Sequence, residues 1–366
     1  MDYRGRLQRL RQVLRQHRLD ALLITHLPNL RYLCGFTGSA GALLVSDNAA
    51  VFVSDGRYKA QARAEVQSAR VLISPKSPLV AAAEWLKAKR KKGRHSRPGK
   101  LGIEAEHLTV AGRRRIAEVL PSGVRLKAAP PLVEQARMAK DAEEIERIRA
   151  AVLLGARLFD RALQTIRPGV KEAEVAAEIE YAARRAGAEQ MSFETIIAAG
   201  ERSALPHGRA SEAPIPAQGF VVCDFGVILA GYCSDMTRTL YVGRPTDEAR
   251  NVYETVREAQ QAAVSAVRPG VSVGEVDRAA RKLLQKNKLG RYFTHSTGHG
   301  VGLEIHEIPR VAAGQTEILR PGMVITIEPG VYIPGKWGVR IEDMVVVTER
   351  GCEVLTPTGK ELIAIA

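Results

Sequence analysis

The sequence predicts an α+β protein in two parts: an N-terminal α/β domain over residues 1–131, and over 136–366 a second domain built from two similar halves. Three observations carry this expectation. Short apolar segments alternate with helix-forming ones as far as Ala128-Ala129-Pro130-Pro131, which reads as the linker. Ile166-Arg167-Pro168-Gly169-Val170 with Glu174-Val175 recurs 101 residues later as Val267-Arg268-Pro269-Gly270-Val271 with Glu275-Val276. Finally, two strand-turn-strand stretches carry acidic residues inside apolar runs, where an unpaired charge is costly.

Taken in order, Tyr3 to Arg18 spaces its apolar residues as a helix does. Ala21–Thr25 reads as a short buried strand and Tyr32–Ser39 as a turn-rich segment. Ala42–Val45 and Ala50–Val53 flank the turn signal Ser46-Asp47-Asn48, so a hairpin is expected. Asp55-Gly56-Arg57-Tyr58 opens a helix to about Ser68. A strand at Val71–Ile73, a helix over 79–92, a strand at Lys100–Ile103 and a helix from Thr109 complete the unit. From Asp141 a long amphipathic helix runs to about Ile166, where the repeat begins. In each copy Pro-Gly ends one helix before the next. His207 and His306 then lie 99 apart, Asp224 and Glu328 104 apart, and Asp235 and Glu342 107 apart. The order helix, Pro-Gly, helix, His, carboxylate hairpin therefore occurs twice, which places a site between the halves.

Composition excludes several classes. At 366 residues the chain can bury a sizeable core. It has no apolar run long enough to span a bilayer, and no membrane association is expected. The start, Met1-Asp2-Tyr3-Arg4-Gly5-Arg6, leads into an Arg-rich helix instead of a signal-peptide core, so a cytoplasmic location is expected. Four cysteines without C-x-x-C spacing indicate neither a zinc ribbon nor a disulfide framework. The net charge of +14 is wholly N-terminal: residues 1–135 hold 25 Lys/Arg against 10 Asp/Glu, and the remainder 29 against 30. The runs Lys87–Arg94 and Arg113–Arg115 lack interleaved aromatics and read as solvated surface, so nucleic acid is not an expected partner.

The chemistry concentrates between Pro206 and Glu342. Asp224 and Asp235 flank a turn near Ala230-Gly231, and opposed residues of a hairpin share a face. Glu328 and Glu342 are expected counterparts in a second hairpin that runs through Pro329-Gly330, with Arg340 on the same face as Glu342. Four carboxylates and one imidazole suit two divalent cations sharing an activated water. His299, between Gly298 and Gly300, is the expected fifth ligand, since bare backbone lets a ligand approach. His207 and His306 are then free to donate to a substrate carbonyl or oxyanion. Arg340 suits anchoring of a ligating carboxylate. Tyr332 reads equally as a site or a packing residue, His295 and Glu307 as peripheral, and His17, His26, His95 and His107 as structural. No G-x-S-x-G, H-E-x-x-H or phosphate-loop motif offers another scheme.

Leu205-Pro206-His207-Gly208, Asp224-Phe225-Gly226, Ser234-Asp235-Met236-Thr237-Arg238-Thr239, the run from Ser296 to Glu307, Ile327-Glu328-Pro329-Gly330-Val331-Tyr332 and Gly338-Val339-Arg340-Ile341-Glu342-Asp343 together resemble the pita-bread metallopeptidases, in the Xaa-Pro aminopeptidase and prolidase branch. Asn29–Leu33 and Phe36–Ser39 resemble the creatinase-type N-terminal domain of that branch. The resemblance implies two metal ions, commonly manganese with cobalt or zinc as alternatives, held by Asp224, Asp235, His299, Glu328 and Glu342. It implies substrate binding by His207 and His306, activation of water by Glu328, support of the metal shell by Arg340, and a homodimer. The expected reaction is release of the N-terminal residue from peptides with proline second. An Xaa-Pro dipeptidase is the alternative, and it needs a cation for the free proline carboxylate that the sequence does not identify. From another class, a non-catalytic binding protein on the same fold is the rival, against which the full ligand set argues.

Overall fold

The computed structural model describes residues 1–90 and 99–366, with the backbone alone for residues 87–90. The whole basic run Lys87–Arg94, His95 and the far end of the helix expected over 79–92 therefore lie outside the described side chains. The chain divides into two compact units, Met1–Arg137 and Met138–Ala366.

In the first unit, helices α1 (Tyr3–Gln16), α2 (Leu27–Cys34), α3 (Lys59–Glu65), α4 (Pro78–Arg90), α5 (Val110–Val119) and α6 (Leu132–Arg137) accompany six strands. The strands β1 (Ala21–Ile24), β2 (Ala42–Ser46), β3 (Ala49–Ser54), β4 (Arg70–Ile73), β5 (Lys100–Glu104) and β6 (Arg125–Ala129) form one mixed sheet in the order β4-β3-β2-β1-β5-β6. Two expectations are corrected here. Tyr32–Cys34 end a helix instead of lying in a turn: Pro28 sits in its first turn, Leu30, Leu33 and Cys34 are buried, and Gly35 closes it at φ 83°. Ala128 and Ala129 are not linker but the end of β6, hydrogen-bonded alongside Ile103 and Glu104.

The second unit opens with α7 (Ala142–Thr165), started by a capping box between Asp141 and Glu144, and α8 (Glu172–Arg185). Strands β7 (Gln190–Met191), β8 (Ile196–Ala199), β9 (Gly219–Phe225), β10 (Val227–Leu229), β11 (Tyr232–Cys233) and β12 (Met236–Val242) follow. The second half brings α9 (Asp247–Ala266) and α10 (Val273–Lys286), then β13 (Gly298–Gly300), β14 (Glu307–Val311), β15 (Val324–Ile327), β16 (Gly330–Ile333), β17 (Trp337–Arg340), β18 (Asp343–Val347), β19 (Cys352–Val354) and β20 (Ala364–Ile365). The main sheets are ordered β20-β12-β9-β8 and β14-β13-β15-β18-β19. Each covers its own helix pair: Phe159, Ile179, Val221 and Leu240 lie in one core, Val256, Val276, Ile325 and Val345 in the other.

The repeat is visible atom by atom. Gly169 and Gly270 take φ 84° and 86°, which favours glycine. Their amides donate to Ile215 O and Leu319 O, each at 2.9 Å, and Ile215 and Leu319 donate back to Val170 O and Val271 O. Glu174 and Glu275 each reach back to the amide ahead of their helix. Among the described residues no helix is long and apolar enough to cross a membrane. Cys34, Cys223, Cys233 and Cys352 are all free.

Candidate active site

Both carboxylate hairpins owe their geometry to register. In the first, Ala230 and Gly231 take φ 49° and 80°, so a two-residue turn closes β10 on β11. The same register carries through to β9 and β12, where Asp224 faces Thr237 and Phe225 faces Met236. Asp224 and Asp235 are thus diagonal neighbours, two residues offset, and not the directly opposed pair expected; the offset of two keeps both on one face. In the second hairpin, Ile327 faces Asp343 and Gly330 faces Arg340, so Glu328 and Glu342 fall opposite each other. Pro329-Gly330 is not its turn. The chain stays extended there and reverses at Pro334–Lys336, where Gly335 has φ 71°.

The glycines beside His299 also serve a purpose other than the one expected. A Cβ on Gly298 would lie 1.9 Å from Thr326 O, and one on Gly300 would lie 2.4 Å from Ile308 O. They admit neighbouring strands, not a ligand. The strand bulges between His299 and Gly300, and Thr326 Oγ1 receives the His299 amide. His299 Nδ1 lies 3.0 Å from Gly300 O, and because a carbonyl only accepts, that nitrogen carries the proton. The Nε2 lone pair is left facing Asp235 Oδ2 at 3.6 Å and Glu328 Oε1 at 3.5 Å.

His207, Asp224, Asp235, His299, His306, Glu328, Arg340 and Glu342 all line one pocket of about 710 Å³. Asp235, His299 and Glu342 each present a ligand atom within 4.8 Å of the others. Electrostatics show the strain of this packing. Burial, reinforced by Glu342, Asp224 and Glu328, holds the Asp235 carboxyl well above its usual range. Burial and the charges of Glu328 and Asp224 do the same to Glu342, and burial lifts Glu328 to about 7. Burial lowers His299 to about 4, so it is neutral near pH 7. Asp224 Oδ1 and Glu342 Oε1 are buried without a hydrogen-bond partner. Such oxygens, set beside a lone pair, fit a cation-binding cluster.

Arg340 is 3% exposed and gathers several groups around it. Its Nη2 donates to Asp224 Oδ2, Nη1 to Tyr332 Oη at 2.6 Å and Pro206 O at 3.1 Å, and Nε to Thr237 Oγ1 at 3.1 Å. Thr237 in turn donates to Glu342 Oε2 at 2.7 Å. Tyr332, ambiguous in the sequence, thus belongs to the site. So does His295: Nδ1 lies 2.7 Å from Ser296 O and Nε2 3.0 Å from Tyr332 Oη, so the phenol donates to His295. Burial and Arg340 push His295 down to about 3. Glu307 lines the pocket and is ion-paired with buried Lys140 at 3.1 Å.

Sequence reasoning missed Arg310. It lies opposite His299 in the β13–β14 ladder and lines the pocket, and among the described residues its side chain makes no ion pair or hydrogen bond. The signal is its two-residue spacing from Ile308, which on a strand puts both side chains on the pocket face of β14. His26 and His107, expected to be structural, stack on each other at 3.6 Å in the first unit.

Two family profiles cover most of the chain: metallopeptidase family M24 over residues 146–349 and the creatinase/prolidase N-terminal domain over 6–139. The Xaa-Pro dipeptidase of Pyrococcus horikoshii is 38% identical over 94% of this chain and 95% of its own. A solved Xaa-Pro dipeptidase from Bacillus anthracis superposes with a TM-score of 0.94 at 39% identity, covering 99% of this chain and 100% of the other. The X-Pro aminopeptidase of Thermotoga maritima gives 0.88 at 35%, covering 98% and 100%. The chain therefore belongs to metallopeptidase family M24 and is a metallo-exopeptidase with a creatinase-type N-terminal domain and a pita-bread catalytic domain.

Proposed function

We propose that the chain is an Xaa-Pro dipeptidase that uses two divalent cations held by Asp224, Asp235, His299, Glu328 and Glu342. One observation carries the metal reading: Asp235, His299 and Glu342 present ligand atoms within 4.8 Å of one another, in the pocket that also holds the buried, unpartnered Asp224 Oδ1 and Glu342 Oε1. Cations of this kind, with manganese proposed and cobalt or zinc as alternatives, polarise the scissile carbonyl and make water nucleophilic at neutral pH. Glu328 is assigned the proton of the attacking water, which it would pass to the proline nitrogen. That nitrogen carries no hydrogen in the substrate and must gain one to leave. His207 and His306 are assigned to the substrate carbonyl and the oxyanion that develops from it. Burial and His207 lower His306, so it donates as a neutral imidazole. Arg340 holds Asp224 and Tyr332 in place.

Dipeptide specificity is favoured over the broader aminopeptidase reading by relatives named Xaa-Pro dipeptidase and by Arg310. A free guanidinium at the pocket wall suits the carboxylate that a dipeptide presents just beyond proline. The Thermotoga likeness supports the aminopeptidase as a second reading. A homodimer is part of the proposal on the general prevalence of twofold assemblies. The test compares Ala-Pro with Ala-Pro-Ala on chelator-stripped protein with and without Mn²⁺. Metal-dependent cleavage of the dipeptide alone is expected. Cleavage of the tripeptide would favour the aminopeptidase, and no cleavage with any divalent metal would overturn both readings.

A further inference from the structure

His207 rides on a long connection between β8 and β9, where its local bonds are those of a turn: the Gly208 amide donates to Leu205 O at 3.0 Å and the Arg209 amide to His207 O at 2.9 Å. It is exposed on the pocket wall, flanked by Pro206 and Gly208. The two ends of that segment are instead joined by one side chain. Glu172, the first residue of α8, is fully buried. Its Oε1 accepts from the Ala199 amide at 2.8 Å, at the start of the segment. Its Oε2 accepts from the Ser211 amide at 3.1 Å and from Ser211 Oγ at 2.7 Å, beyond His207. Arg202 Nε lies 3.0 Å from Oε2 and 3.2 Å from Oε1, and Arg202 Nη2 donates to Arg209 O at 2.8 Å. The charge is thus held by one guanidinium, three neutral donors and the positive end of a helix.

We infer that Glu172, with Arg202, is a positioning residue for His207: one buried carboxylate sets the span between Ala199 and Ser211 and so aims the imidazole between them into the pocket. Hydrophobic packing would not achieve this, because both ends present backbone N–H groups that need acceptors. Arg340 completes the restraint at the tip by donating to Pro206 O. The inference rests on the assignment of His207 to the substrate.

Glu172→Gln keeps the shape but sets an amide N–H₂ against donors. The segment should loosen, and displacement of about 1 Å at a reacting group costs on the order of 100-fold in rate. The experiment measures kcat and KM on Ala-Pro with the Mn²⁺-loaded full chain for wild type, E172Q, H207A and E172Q/H207A. E172Q is expected to lower kcat/KM about 10- to 100-fold, and the double variant to match H207A, because the clamp acts only through that imidazole. Amide exchange over 199–211 should rise in E172Q. Losses that multiply in the double variant, or a fall in kcat alone with unchanged KM and exchange, would mean a merely structural role and overturn the inference. H207A without effect would instead remove the substrate role of His207, and the clamp's purpose with it. Should E172Q not fold, Ser211→Ala deletes one of the bonds and is read by the same cycle, with a smaller loss expected.

Discussion

Replacing Arg340 by methionine tests how the site is held together. The substitution keeps the apolar stem and removes the guanidinium, which is 4% exposed beside an Asp224 side chain 11% exposed. Asp224 loses its partner on Oδ2, and its Oδ1 has none to begin with. Tyr332 Oη, Thr237 Oγ1 and Pro206 O lose a donor as well. Removing one partner of a buried ion pair costs about 3–5 kcal/mol, since it leaves the other charge uncompensated. For a unit of roughly 230 residues each kcal/mol shifts the midpoint by about 2–4 °C, so the metal-free protein should melt about 6–20 °C lower. Bound cation can neutralise Asp224 in place of the guanidinium, so the deficit should shrink in saturating Mn²⁺. Metal affinity itself should fall about 10- to 100-fold, because a ligating carboxylate has lost its orienting partner. Scanning calorimetry in chelator and in Mn²⁺, with titration calorimetry for the metal, measures all three. A midpoint in chelator within 2 °C of wild type, or unchanged metal affinity, would refute the picture of Arg340 as the electrostatic keystone of the cluster.

Further outcomes follow from the same geometry. Because Glu328 keeps its proton up to about pH 7, cation binding should release protons below that pH, with apparent Mn²⁺ affinity falling as pH drops from 7 toward 5; a flat affinity would contradict it. His295 is held neutral down to about pH 3 against an ordinary value of 6.5, so its contribution to stability is full above 6.5 and is lost as pH falls toward 3. His295→Gln should flatten that part of the acid-unfolding curve. Lys140→Met removes the ammonium paired with the buried Glu307 carboxylate and should cost about 3–5 kcal/mol by denaturant titration, with partial recovery in K140M/E307Q. Arg310→Met should raise KM for Ala-Pro about tenfold or more with little change in kcat, the signature of lost ground-state binding.

The N-terminal hairpin at Ala42–Ser54, the helix capped by Asp141 and the doubled Pro-Gly junctions were legible because each is written in contiguous residues. Helix α2 was not, since its polar Asn29 and Arg31 blur the periodicity that buried Leu30, Leu33 and Cys34 satisfy in three dimensions. In the site, acidic residues inside apolar strands and the Gly-His-Gly run stood out as chemistry. The partners that make Tyr332 and His295 part of it did not, because Tyr332 meets Arg340 across a strand pair and His295 meets Tyr332 from 37 residues away.

By itself, then, the sequence determined the two-part architecture, the internal repeat, and the set of carboxylates and histidines that gather in one pocket. Those follow from side-chain period, turn residues and the cost of burying charge, all of which act locally along the chain. Tertiary structure alone decided that Asp224 and Asp235 meet diagonally, that Gly298 and Gly300 admit strands, that Arg340 holds Asp224, and that Glu172 ties the ends of the His207 segment. Each depends on register or on contacts between distant segments, and a shift of one residue in a ladder would move Asp224 or Arg340 to the other face.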